Sequence, residues 1–84
     1  MKDYNGWKNR QTWNVTLWIS NTEHLYKQAV EFMKSYTGSK PYVAFINKMG
    51  LAEERTPDNI KWISTRLDYK ALNEEMEEFY TRQL

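Results

Sequence analysis

Eighty-four residues leave room for one domain with a thin core, because typical domains run to ~100–150 residues. A 40% hydrophobic and 15% aromatic composition excludes a disordered chain, and the absence of cysteine excludes a disulfide scaffold. A net charge of +1 excludes a strongly acidic mimic of DNA and names no partner by itself. The N-terminus has no apolar run and no stretch reaches the ~20 apolar residues of a membrane span, so a cytoplasmic protein without membrane contact is expected.

In chain order, the first element is ambiguous. Trp13, Val15, Leu17 and Ile19 alternate with Asn14, Thr16 and Ser20, the period of a strand. As a helix the same residues place apolar groups nearly all round, so that helix must be buried on several sides or offer one side to a partner. The helix is favoured because a lone strand has nothing to pair with; Asn9 or Thr12 would cap it. A second helix is expected over 22–36, with Leu25, Ala29, Phe32, Met33 and Tyr36 as its apolar stripe and Glu23, Lys27 and Glu31 as an ion-pair ladder. Ser20 with Glu23, or else Asn21, would start it, and Gly38 would end it by taking positive φ.

A third helix follows, capped by Ser39, with Pro41 in its first turn and Gly50 as its terminator. Tyr42, Phe45, Ile46 and Met49 would face inward. Residues 51–67 stay open: Thr56-Pro57-Asp58-Asn59 reads as a turn or a helix start, and Ile60, Ile63 and Leu67 fit a helix whereas Ile60 and Trp62 alternate like a short extended segment. The last helix, 68–82, is the clearest. Asp68 caps it, Leu67 and Leu72 form a hydrophobic staple, and Tyr69, Leu72, Met76, Phe79 and Tyr80 share one face. Glu78 would pair with Arg82. The expected architecture is a single all-α domain over 1–84, a small compact bundle of four to five short helices. The alternative is α+β with residues 12–20 as a strand.

Catalytic chemistry has little to work with. With no Cys and only His24, no structural zinc site can be assembled, and no calcium loop is present. There is no thiol, no Gly-flanked serine and no phosphate-cradling glycine loop. The pairs Glu53-Glu54, Glu74-Glu75 and Glu77-Glu78 read as solvated charge. No enzyme, metal or cofactor is expected, and no small-molecule ligand is evident.

Binding remains. Tyr4, Trp7, Trp13 and Trp18 are interleaved with Lys2, Lys8 and Arg10, as on a platform that stacks bases and tracks phosphates. Trp and Arg are also the residues enriched at protein–protein hot spots. The expected binding surface is Trp7, Lys8, Arg10, Asn14 and Trp18. Charge divides unevenly: residues 1–48 carry seven Lys/Arg against three Asp/Glu, and residues 49–84 carry five against eight, so the halves are +4 and −3.

The stretch Asn9-Arg10-Gln11-Thr12-Trp13-Asn14-Val15-Thr16-Leu17-Trp18-Ile19-Ser20-Asn21, continuing to Glu23 and Leu25-Tyr26, resembles a group of short proteins from phages, plasmids and bacteria, cyanobacteria among them. Trp62 to Asp68-Leu72 is similar too. Thr22 stands where that group has Asp, which weakens the capping chemistry at this point. The resemblance implies a mobile-element origin and no assigned activity. The function expected from the residues is a non-catalytic module that binds and modulates a host protein; the alternative is a nucleic-acid-binding protein that uses the basic, aromatic N-terminal half.

Overall fold

The computed structural model describes residues 6–83. Four helices form: α1 (Arg10–Asn21), α2 (Glu23–Ser35), α3 (Pro41–Lys48) and α4 (Tyr69–Thr81). Among the described residues there is no strand; Arg55 and Lys61 form an isolated antiparallel bridge. The all-α bundle is the observed fold, and the alternative with a strand at 12–20 is not. α2 packs along α4 and α1, and α3 closes against α4.

The strand-like alternation in α1 has a physical explanation. Thr12, Val15, Thr16 and Ile19 form its buried stripe at helical spacing, and the two threonines tolerate burial because each hydroxyl is hydrogen-bonded. Thr16 donates to the carbonyl of Thr12 at 3.0 Å, and the Thr12 hydroxyl accepts from the Asp68 amide at 2.9 Å. Asn9 is the cap, its side chain accepting from the Thr12 amide at 2.9 Å. Thr12 therefore does not cap; its hydroxyl holds the start of α4.

The expected start of α2 is corrected. Ser20 lies inside α1 and donates back to Thr16 at 3.0 Å, and Asn21 is the last residue of α1. The turn is so tight that Thr22 ends one helix and begins the next, with no side-chain cap bond for α2. Its backbone is extended (φ −106, ψ 106), as a capping residue requires. Thr22→Asp should accordingly stabilise the fold by about 0.5–1 kcal/mol, from the new cap and the charge at the helix N-terminus. A chemical denaturation midpoint checks this.

Two further expectations at α2 and α3 change. Gly38 does not have positive φ; a side chain there would run into the Tyr36 hydroxyl, so the glycine leaves the Tyr36 ring where it lies and a larger residue would have to displace it. Tyr36 stacks on Phe32, with centroids 5.0 Å apart, and its hydroxyl accepts from the Lys40 amide. Ser39 caps nothing, because α3 is capped across the bundle: Asn73 of α4 accepts from the Tyr42 amide at 3.0 Å. Gly50 is the terminator expected, at φ +75. Leu51 N–H to Ile46 carbonyl and Gly50 N–H to Asn47 carbonyl, 3.0 and 3.1 Å, make it a Schellman ending.

α4 forms as read. Asp68 accepts from the Ala71 amide at 3.2 Å, and Leu67 and Leu72 are both buried. Leu72, Met76 and Phe79 enter a core that α3 supplies with Tyr42, Phe45 and Ile46. Phe79 meets Tyr26 edge-on at 5.3 Å, and Phe45 meets Phe32 at 5.6 Å. The Tyr42 hydroxyl donates to the Trp62 carbonyl at 2.6 Å, and burial raises its pKa far above the ordinary phenol value. Arg82 pairs with Glu75 at 3.3 Å instead of Glu78 and lies over the Phe79 ring. The α2 ladder likewise rearranges: Lys27 pairs with Glu23, and Glu31 with Lys34.

Candidate binding face

Residues 51–67 contain no helix. Thr56 to Ile60 make a tight hairpin turn: the Thr56 amide bonds the Ile60 carbonyl at 2.7 Å, and Asn59 takes the left-handed conformation at φ 68 that a three-residue hairpin needs. Ile60 and Trp62 alternate as an extended segment would, and both are buried.

α1 holds this hairpin in place. Asn14 is 1% exposed: its Oδ1 accepts from the Thr56 hydroxyl at 2.7 Å and its Nδ2 donates to the Asp58 carboxylate at 2.8 Å. One turn on, the Trp18 indole Nε1 donates to the same Asp58 oxygen at 2.9 Å. The Thr56 hydroxyl also accepts from the amides of Asp58 and Ile60, each at 3.2 Å. Nearer the start of α1, Asn9 Nδ2 donates to the Arg66 carbonyl at 2.7 Å. The distinctive N-terminal stretch is thus, in large part, a clasp on the 55–68 connection. Among the described residues no buried side-chain polar atom lacks a partner.

The clasp sets the charge state of Asp58. The Asn14 amide, then the Trp18 indole N–H, hold its carboxyl below the ordinary value of 3.8; Arg10 adds to this, while partial desolvation opposes it. A depressed carboxylate stabilises the fold above its unfolded-state value, and that contribution is lost as pH falls through the folded-state value. The melting temperature of Asp58→Asn should therefore lie below wild type at neutral pH, and the gap should close as pH drops below 3.8. A gap indifferent to acid would mean that the carboxylate charge is not what the clasp recognises.

The five sequence-nominated residues part company. Arg10, Asn14 and Trp18 share one side of α1, but Asn14 is buried and Trp18 half-buried with its N–H committed, so neither offers a free polar group. Lys8 and Arg10 are exposed. Trp7 is half-buried on another side. There it lines a groove of about 310 Å³ with Trp13, Leu17, Ser20, Glu75 and Arg82. Lys2 and Tyr4 lie outside the described residues.

The sequence reading missed a cleft of about 300 Å³ built by the clasped hairpin. Arg55, Lys61 and Arg66 line it with Gln11, Asn59, Ser64 and Thr65. No carboxylate lines it, and these three cations, like Lys8 and Arg10, make no ion pair among the described residues. The Arg55 guanidinium donates to the Asn59 carbonyl at 3.2 Å, which props one wall. Gln11 and Trp13 are two positions apart, roughly 200° round the helix, so the basic cleft and the aromatic groove lie on opposite sides of α1.

His24 is exposed at the start of α2. Among the described residues, no three His, Asp or Glu side chains are grouped to hold a metal ion, and no helix is long and apolar enough to cross a membrane.

Set against known proteins, residues 1–83 match one family model, described as a family of unknown function (DUF7249). The chain belongs to that family. The matched range includes the clasp and the basic cleft. Neither a curated protein nor a solved structure matches the chain.

Proposed function

We propose that this is a non-catalytic cytoplasmic binding module whose partner is nucleic acid, held at its phosphates by Arg55, Lys61 and Arg66 together with Lys8 and Arg10. The observation that carries this reading is the carboxylate-free cleft. Three cations from the half of the chain that is −3 overall sit beside the first turn of α1, which contains no acidic residue. The positive helix end adds to the local potential. Arg10 acts electrostatically on Asp58, whose charge is shared between two N–H donors.

The second reading, a module that modulates a host protein, draws on the Trp7, Trp13 and Leu17 groove, where half-buried rings lie beside the Glu75–Arg82 ion pair as interface anchors do beside a polar rim. A mobile-element origin fits either reading. A tagged pull-down from lysate, with and without nuclease, separates them. Nucleic acid in the untreated eluate supports the first; a protein retained after digestion, with no nucleic acid recovered, overturns it in favour of the second.

A further inference from the structure

We infer that the basic face takes double-stranded nucleic acid by its phosphates, without reading or stacking on bases; this rests on the nucleic-acid reading above. Single-strand binders combine cations with aromatic rings in one groove, so that bases stack while phosphates are tracked. The interleaving of Trp and Lys/Arg in the sequence suggests that combination, but the fold separates it.

No aromatic side chain lines the cleft. Trp62, the ring nearest in sequence to Lys61, is 3% exposed and sits in the core. The Trp18 indole is tied to Asp58. Trp7 and Trp13 line the groove on the far side of α1, where Arg82 is already paired with Glu75 at 3.3 Å and leaves that groove no unpaired cation to hold a phosphate strand. What the cleft presents is guanidinium, ammonium, amide and hydroxyl groups: Arg55, Lys61, Arg66, Gln11, Ser64 and Thr65. Groups of these kinds hold phosphate and sugar, and contacts of that class carry no base code. A duplex presents phosphates at about one charge per 1.7 Å of axis, roughly the densest target such a face could meet, and its bases are already stacked.

The test is fluorescence anisotropy with a labelled mixed-sequence DNA duplex, a second duplex of unrelated sequence, and labelled oligothymidine, at low salt. The expected result is that both duplexes bind within about twofold of each other and about tenfold tighter than oligothymidine. Lys61→Gln/Arg66→Gln, with both sites exposed, should weaken duplex binding at least tenfold while the circular dichroism of the helices is retained. Oligothymidine binding as tightly as duplex, with quenching of tryptophan fluorescence, would overturn the duplex inference and leave the nucleic-acid reading standing. Failure of every probe to bind would remove both.

Discussion

Asn14→Ala is expected to lower stability by about 2–3 kcal/mol, near the top of the range for breaking a buried polar network. Both ends of the side chain are engaged with groups 42 and 44 residues away. Truncation leaves the Thr56 hydroxyl without its acceptor in a site too closed for water to substitute freely, and removes a hydrogen bond to the exposed Asp58 carboxylate. For a chain of this size that amounts to a fall in melting temperature of about 10–20 °C. Asn14→Asp makes the point more sharply: it keeps an acceptor for Thr56 but sets a carboxylate against Asp58. It should be the worse variant at neutral pH and recover ground in acid. A loss below about 0.5 kcal/mol for Asn14→Ala would mean that the hairpin is held by its own turn and not by α1.

The largest loss is expected from Phe79→Ala, about 3–5 kcal/mol. Phe79 is 1% exposed, meets Tyr26 of α2 edge-on and carries the Arg82 guanidinium over its ring. α2 and α4 share the most extensive helix contact in the molecule, and Phe79 sits within it. Total stability for a domain of this length is about 4–12 kcal/mol, so the variant should lose between about a quarter and all of it. Thermal melts followed by circular dichroism would read this as a fall of at least about 15 °C. A fall under about 5 °C would show that the α2–α4 contact is not the main support of the core.

The two variants mark what could and could not be seen in the sequence. Phe79 belongs to a local pattern: Leu72, Met76 and Phe79 recur at helical spacing behind an Asp68 cap, and that information lies within one turn on either side. The same holds for Tyr42, Phe45 and Ile46 between Pro41 and Gly50. Caps failed where their partner came from elsewhere. Ser39 looked like the start of α3, yet Asn73, some thirty residues on, supplies the acceptor. Gly38 looked like a left-handed terminator and is instead room for the Tyr36 ring.

Asn14 misled for a related reason. A polar residue among apolar ones suggested an exposed contact, whereas its partners Thr56 and Asp58 lie in the segment that could not be assigned. The basic cleft was hidden by averaging. Arg55, Lys61 and Arg66 are spaced through the acidic half, where a charge sum cancels them against glutamates, Glu74 and Glu75 among them, that line a different groove. The usable signal was the hairpin chemistry of Thr56-Pro57-Asp58-Asn59, which brings Arg55 and Lys61 opposite each other across the bridge.

The measurement that tests the central claim most directly is the salt dependence of duplex affinity for wild type and for Lys61→Gln/Arg66→Gln. Five cations at the phosphates predict a slope of log affinity against log salt of about −4.5, and the double variant one of about −2.7. A slope near zero, or one that the variant leaves unchanged, would contradict the account and place the binding surface elsewhere.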